Sequence, residues 1–434
     1  MKTFYDVIVV GAGSAGVVAA TQAGRAGAST LLIEKSGILG GTTTLGGVNF
    51  PGLFHAWGQQ IIAGIGWELV VNTSKECGQP LPDFDNWKNI RHWHLQILVN
   101  IPVYAALADQ MVISSGAEVL FHTMPAAANW NGNEWELTVC CKEGLQTFRA
   151  HALVDCSGDA NLTALAGFPL RRQQALQPGT LFMKATGYDI NRLNLKAIDE
   201  AFFKEVEAGS MLRSDFQAPR SPASNFLYKH GSNAMHVTGI DARTSQGKTD
   251  AELRAREALL RIIRFFRKQP GLEGFYIEHI STECGIRETV TIEGEICITS
   301  SDYANGKLWP DSLCYSYYPI DIHSSTGGYT DTRALPEKIV PTIPLRAQLP
   351  LGSKNFLVAG RCISGDKEAN SAFRVQASAM AMGQVAGATA ALAAKQKCEV
   401  RELPLASIRK LLKKHQAIVP PTRKAVQGTR DEWR

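Results

Sequence analysis

The sequence predicts an α/β protein, in which a Rossmann-like dinucleotide-binding domain with a parallel sheet and a β-meander carries an inserted α+β substrate domain. Three observations predict it. Residues 6–34, DVIVVGAGSAGVVAATQAGRAGASTLLIE, hold strand, glycine fingerprint, helix and second strand in the order of a βαβ unit. Residues 135–141 alternate apolar and other side chains behind Asn131-Gly132, a hairpin turn signal, and with 145–149 suggest an antiparallel meander. The chain after Asn49 then leaves the nucleotide-binding pattern, which marks an insertion.

The apolar run 7–10 reads as a buried parallel strand and feeds directly into Gly11, Gly13 and Gly16. Gly11 permits the tight turn, Gly13 lets the backbone approach a pyrophosphate, and Gly16 lets helix and strand pack closely. Ser14 and Ala15 stand in the first helical turn, where unpaired N–H groups face phosphate oxygens. A second strand at 30–33 ends on Glu34, at the spacing where a carboxylate accepts hydrogen bonds from an adenosine ribose. An acid there favours an unphosphorylated ribose, so NADP is disfavoured and NAD or FAD remains.

Composition sets the outer limits. The 434 residues give room for two or three domains, and 45% hydrophobic with 20% charged residues is ordinary for a globular protein. The net charge of +5 is mild and spread out, densest at 254–268 and in the C-terminal tail, so no nucleic-acid partner is expected. The nine cysteines lack C-x-x-C spacing, which suits reduced thiols and a cytoplasmic location better than a disulfide framework. No signal peptide is read ahead of the first strand, and the longest apolar stretch, 377–394, contains Gln384 and reads as a buried helix. A membrane role is therefore not expected.

Residues 50–96 hold His55, Trp57, Trp67, Trp87, His92, Trp93 and His94, which either wall a substrate pocket or pack an inserted segment. His92 and His94 alternate, but without a third ligand nearby no metal is expected. A helix over 104–115 should end at Gly116, and a strand over 118–124 should rejoin the sheet. Segments 135–141 and 145–149 make the meander, and 152–156 returns as a separate strand ending at Ser157-Gly158-Asp159. Thr249-Asp250-Ala251-Glu252 matches a capping box, so a helix should start there, with Leu253, Leu260, Ile263 and Phe266 among arginines of a solvated face. Gly383 and Gly387, one helical turn apart, predict close backbone packing near the cofactor. Residues 403–416 read as a basic amphipathic helix docked on the nucleotide-binding domain, before Pro420-Pro421 and a loosely ordered tail.

Beyond Glu34 and Lys35 lies a second turn, Gly40-Gly41-Thr42-Thr43-Thr44-Leu45-Gly46-Gly47-Val48-Asn49. It resembles the loop of the glutathione-reductase and fumarate-reductase flavoproteins that runs along the FAD pyrophosphate toward the isoalloxazine. Residues 154–160, with Ser157, Gly158 and Asp159, resemble the turn at which two-dinucleotide-fold flavoproteins return to FAD. Residues 355–364, with Gly360 and Arg361, resemble their last FAD-contacting strand and turn. Residues 371–387, with Val375 and Gln376, resemble the helix whose N-terminal end points at the flavin. Gly285-Ile286-Arg287-Glu288 and Tyr318-Pro319-Ile320-Asp321-Ile322-His323 resemble internal motifs of the broad FAD-dependent oxidoreductase family. The resemblance covers nearly the whole chain and implies an FAD-binding oxidoreductase, with Lys35 and Met124 completing the expected FAD contacts.

Two departures narrow this. Disulfide reductases carry a C-x-x-x-x-C pair in the loop, where Thr43 and Val48 stand here, so dithiol chemistry is disfavoured. Membrane succinate dehydrogenases bond the flavin to a loop histidine, and 36–53 contains none, so non-covalent FAD is expected, with His55 the nearest residue able to undermine this. No second glycine fingerprint marks an NAD domain. Electrons are therefore expected from the substrate, a transient partner, or nicotinamide bound without its own fold.

The FAD-binding domain reads as 1–50, 101–168 and 346–396, with a cap or interface segment at 51–100, a substrate domain at 169–345 and a C-terminal helix and tail at 397–434. The expected reaction is hydride transfer between flavin N5 and a small polar metabolite, an organic acid or sugar-type alcohol. His323 or His55 would handle the proton, and Arg287 or Arg374 would counter negative charge. The structural alternatives are an Arg287–Glu288 ion pair, a core imidazole at His323 and a packing thiol at Cys362. Two other classes stay open: an NAD(P)H-using flavin monooxygenase or hydroxylase, and a binding or assembly protein holding FAD as a structural ligand. The expected partners are a small-molecule substrate and an electron donor or acceptor, with homo-oligomerisation open.

Overall fold

The computed structural model describes residues 1–326 and 329–422. The apolar runs form a seven-stranded sheet: β1 (Phe4–Val10), β2 (Thr30–Ile33), β3 (Glu118–Leu120), β4 (Met124–Trp130), β5 (Trp135–Cys141), β6 (Gly144–Asp155) and β7 (Phe356–Val358). Their order is β3-β2-β1-β6-β5-β4, with β7 also paired to β6. β3, β2, β1, β6 and β7 pair in parallel, while β4, β5 and β6 form an antiparallel meander.

Two strand boundaries differ from expectation. The segments 145–149 and 152–156 are parts of one strand, β6, whose first half is mostly exposed in the meander and whose second half is buried. The change in burial along one continuous strand mimics a break in the sequence. Conversely, 118–124 is interrupted after Leu120, where His122 adopts a left-handed φ of 53° and the chain turns from β3 into β4.

The helix Ser14–Arg25 follows β1, and its Ala15 and Ala19 carbonyls lie against the helix Gln376–Gln396. A Cβ on Gly383 would meet the Ala15 carbonyl oxygen at 2.1 Å, and one on Gly387 the Ala19 oxygen at 2.2 Å. The two glycines are thus required by backbone contact. Residues 371–387 are not one helix: Lys367–Phe373 ends at Arg374, and Val375, in extended geometry, precedes Gln376–Gln396. That second helix is apolar and long enough to cross a membrane, yet 89% of its apolar window is buried within the protein. The helix Ile101–Ser114 begins before the expected 104, because the Asn100 side chain accepts from Val103 N at 3.2 Å.

A second core draws on Leu181, Phe202, Phe216, Phe226, Phe266 and Cys284, whereas Ile292, Tyr303, Leu313, Ile343 and Leu345 pack in the first. The span 169–345 therefore divides between two cores, and the separately packed α+β unit is narrower. Its antiparallel pair Met183–Thr186 and Tyr276–Ile280 accompanies helices Leu195–Glu207 and Ser245–Phe266. The latter starts ahead of the expected capping box: Thr244 is the N-cap, accepting from Gly247 N at 3.1 Å, and Thr249 Oγ1 back-bonds to the Ser245 carbonyl. Leu253 and Leu260 are exposed, and the buried stripe is Ala251, Ala255, Ala258, Ile262, Phe265 and Phe266. Nor are all its arginines solvated, since Arg261 pairs with Asp215 at 2.7 Å, an acid only 1% exposed.

The basic helix near the C-terminus spans Leu405–Lys414 and docks through Leu405, Ile408 and Leu412 in the first core. The loosely ordered tail expected from 423 onward lies outside the described residues.

Candidate active site

The parallel strands bring their carboxyl ends to one edge, the position where open α/β sheets bind ligands. Gly11 follows β1 with φ 91°, and a Cβ there would strike the Cys156 carbonyl at 2.6 Å. On Gly16 a Cβ would sit 1.8 Å from the Gly11 oxygen, so the helix packs as the fingerprint requires. Gly13 differs: the nearest atom to its Cβ position is Gly41 Cα at 4.0 Å, leaving free space before the helix. Gly13 is also the N-cap, and among the described residues no side chain caps the helix that opens with Ser14, Ala15 and Gly16. A glycine-lined space at an uncapped helix N-terminus fits a pyrophosphate. Glu34, 5% exposed at the end of β2, accepts from Ala12 N at 2.7 Å and Ser36 N at 2.9 Å. Those bonds fix the carboxylate while leaving acceptor capacity for a ribose hydroxyl.

The Gly/Thr-rich turn is drawn to the same edge. Gly40 N donates to the Ala12 carbonyl at 2.8 Å, and a Cβ on Gly41 would meet Gly13 Cα at 2.7 Å. Thr43 Oγ1 donates to Gln376 Oε1 at 2.6 Å, and Gln376 Nε2 donates to the Val48 carbonyl at 2.6 Å. Thr43, Val375 and Gln376 therefore meet at a second helix N-terminus, which no side chain of the described residues caps. Thr42 is exposed in this turn.

From the other side, Gly158 (φ 78°) and Gly360 (φ 96°) close the turns after β6 and β7. Ser157 N donates to Asp155 Oδ1 at 2.9 Å, and Arg361 ties the turns together, reaching the Gly158 carbonyl at 2.8 Å, Asp159 at 2.5 Å and the Ile286 carbonyl. Two expected contacts stand further out. Lys35 pairs with Glu283 at 3.4 Å, and Met124 is 54% exposed, beside Thr123, whose N–H donates to the Glu34 carbonyl at 3.1 Å.

The structure brings Arg287, Arg374, Asp321 and His323 together. Arg374 Nη1 donates to the Arg287 carbonyl at 3.3 Å, and its Nη2 to Gln177 Oε1 at 3.1 Å and the Asp321 carbonyl at 3.2 Å. Arg287 donates to the Pro178 carbonyl at 2.6 Å, Thr180 Oγ1 at 2.9 Å and Asn233 Oδ1 at 3.5 Å. Every one of these acceptors is neutral. Burial and then the Arg374 charge hold Arg287 down to about 10, and burial lowers Arg374 as well. Asp321 and Glu288 lie within electrostatic reach of both, but among the described residues neither guanidinium hydrogen-bonds a carboxylate, which leaves the pair open to an added anion. Glu288 does not form the ion pair with Arg287 considered above; it accepts from Gln177 N at 2.7 Å and Nε2 at 2.9 Å, with Lys367 at 3.7 Å.

His323 is 7% exposed, with Nε2 3.2 Å from Asp321 Oδ2 and Nδ1 3.1 Å from His236 Nε2. Burial, then Arg287, lowers His323 to about 4. Burial alone would raise Asp321, but the His323 hydrogen bond and the nearby arginines hold it at about 2.

His55 stands elsewhere. Its ring stacks on Phe84 at 3.6 Å and meets Trp67 edge-on at 5.4 Å, and burial lowers it to about 4. It lines a cavity of about 400 Å³ together with Trp57, Trp87, His92, Tyr317 and Pro319. Trp57 and Trp87 therefore wall a cavity, whereas Trp67 packs behind it and Trp93 is 46% exposed. This cavity approaches the polar cluster through His92, which packs edge-on against Tyr318 at 5.6 Å. Cys362 is fully buried and burial raises its thiol, so it serves as packing.

Sequence reasoning missed Gln177 and His236. Gln177 accepts from both His323 N and Arg374 and donates to Glu288, joining three elements distant in sequence. Neither residue lies in a motif, so nothing local signals them.

A family model described as FAD dependent oxidoreductase matches residues 6–412. Among curated proteins, a urocanate reductase of Eggerthella lenta is 53% identical over 47 residues, covering 11% of this chain and 8% of that protein. A 4-oxocyclohexanecarboxylate 2-dehydrogenase of Sinomonas cyclohexanicum is 44% identical over 46 residues, again 11% of this chain and 8% of that protein. These matches span under a tenth of either relative's length. Among solved structures, an anhydrotetracycline hydroxylase from Streptomyces rimosus aligns over 95% of this chain and 66% of its own, at 16% identity and a TM-score of 0.43.

Proposed function

Because the chain belongs to the FAD-dependent oxidoreductase family, we propose that it oxidises or reduces a small organic acid whose carboxylate is held by Arg287 and Arg374. The carrying observation is that, among the described residues, both half-buried guanidiniums donate only to neutral acceptors. An incoming carboxylate supplies the directly hydrogen-bonded anionic partner that neither has.

When bound, FAD supplies two-electron hydride chemistry. The protein supplies the rest. Gly13 and the N-terminus of Ser14–Arg25 receive the pyrophosphate, Glu34 receives the ribose, and Thr43 with Gln376 sets the loop against the second helix N-terminus. Arg287 and Arg374 orient the substrate in this reading, and the hydrogen-bonded Asp321–His323 pair takes part in handling the proton. FAD is held without a covalent bond in this reading, supported by a loop, 36–53, that has no histidine and by His55 stacking on Phe84. The nine free cysteines support a cytoplasmic setting.

Titrating the yellow protein with oxalate, a carboxylate that cannot be turned over, tests the anion site through the flavin spectrum. Wild type should respond, and Arg287→Gln and Arg374→Gln should each weaken binding at least about tenfold. Equal binding in all three proteins would remove the proposal. Bleaching of anaerobic flavin by NAD(P)H but by no organic acid would favour the monooxygenase class instead.

A further inference from the structure

His323 has no ring nitrogen to spare. Its Nε2 faces Asp321 Oδ2 at 3.2 Å, and its Nδ1 faces His236 Nε2 at 3.1 Å and Thr330 Oγ1 at 3.3 Å. An ionised carboxylate only accepts, so Asp321 fixes the proton on His323 Nε2, and the bare Nδ1 accepts from His236 Nε2–H. That assignment propagates outward: His236 Nδ1 must carry a lone pair. His236 is 1% exposed, and its Nδ1 is buried without a hydrogen-bond partner among the described residues. A buried acceptor lacking a donor costs about 1–3 kcal/mol, which the arrival of a donor recovers.

Position supports the same conclusion. Met235 and Val237, on either side of His236, pack in the second core, while Ile320 and Ile322, beside Asp321, pack in the first. The chain of hydrogen bonds thus crosses the junction of the two cores, where ligand sites concentrate.

We propose that His236 Nδ1 is the proton acceptor at the end of an Asp321–His323–His236 array, and that it takes the hydroxyl proton of a hydroxycarboxylate seated on Arg287 and Arg374. His323 and Asp321 are then positioning residues. The proposal rests on the carboxylate reading above. In the oxidative direction the carbinol C–H bond gives hydrogen and electron pair to FAD, the O–H bond gives its proton to His236, and a C=O bond forms, leaving an oxocarboxylate. Burial holds His236 down most, the charges of Arg287 and Lys229 add to it, and Asp321 opposes them. A carboxylate on Arg287 cancels one of these charges, so the base strengthens when substrate is present.

The test uses the full-length, FAD-loaded protein with ¹⁵N-labelled histidine, its ring signals assigned from His236→Gln and His323→Gln. The array requires both rings to be neutral at pH 7 with the proton on Nε2. A proton on His236 Nδ1, or a charged His236 ring, overturns it. A second arm follows anaerobic flavin bleaching by glycolate, lactate, malate, tartrate and 2-hydroxyglutarate. With any compound that reduces wild type, His236→Gln should react about 100-fold more slowly or worse while keeping its FAD and its oxalate affinity. Reaction at near wild-type rate overturns the role of His236, and a wild type that none of the five reduces overturns the hydroxycarboxylate assignment. Oxalate binding independently decides the carboxylate reading, so the two can fail separately.

Discussion

Thr43 and Gln376, 333 positions apart, are joined by a 2.6 Å hydrogen bond that clamps the Gly/Thr-rich turn onto the N-terminus of the helix Gln376–Gln396. The same Gln376 side chain also holds the Val48 carbonyl. Gln376→Ala removes both bonds at once. At about 1 kcal/mol each, their loss should weaken FAD retention by roughly tenfold or more, measured by flavin fluorescence on dilution. Retention equal to wild type would mean that the turn is held by other contacts.

Gly383→Ala should be destabilising out of proportion to one methyl group. The new Cβ would lie 2.1 Å from the Ala15 carbonyl oxygen, and neither helix backbone can yield cheaply. A loss of about 1–3 kcal/mol, with reduced FAD content because the fingerprint helix shifts, is expected in thermal and denaturant unfolding.

In the second core, Arg261→Ala and Arg256→Ala should differ sharply. Arg261 pairs with Asp215, which is 1% exposed, and its removal strands a buried carboxylate at a cost of about 3 kcal/mol. Arg256 reaches Glu252 only at 3.5 Å from an exposed position, so its loss should cost under about 0.5 kcal/mol. Equal melting temperatures for the two variants would contradict this packing.

Acid should destabilise the protein through its buried imidazoles. His323 and His236 are held at about 4 and about 2 when folded, against 6.5 when unfolded. Above pH 6.5 neither state binds these protons; as pH falls below it, only the unfolded chain does, so stability drops. The slope is about 1.4 kcal/mol per pH unit for each histidine, through about pH 4 for His323 and lower for His236. Asp321, held at about 2 against 3.8, adds to the loss below about pH 4. Melting curves of wild type and His323→Gln between pH 7 and 4 should diverge, the variant showing the shallower decline.

Much of the geometry of the glycine-rich turn was legible because it is local. Gly11, Gly13, Gly16 and Glu34 lie within one βαβ unit, where turn, helix and strand are set by neighbouring residues. The Gly383–Gly387 spacing likewise announced a close helix contact, although only the fold names Ala15 and Ala19 as its partners. Local signals erred where context changed along one element. β6 is exposed in one half and buried in the other, and Thr249 imitates a cap within a helix already begun at Ser245.

The sequence by itself determined the βαβ unit with its glycine turn and the polar motifs at 285–288 and 318–323, since each depends on contacts among near neighbours. Tertiary structure alone decided that Arg287 and Arg374 meet, that Glu288 turns to Gln177, that His55 stacks on Phe84, and that His236 completes the chain from Asp321. Those contacts join residues brought together by packing across two cores, and no local spacing in the chain encodes which distant side chain fills a hydrogen bond.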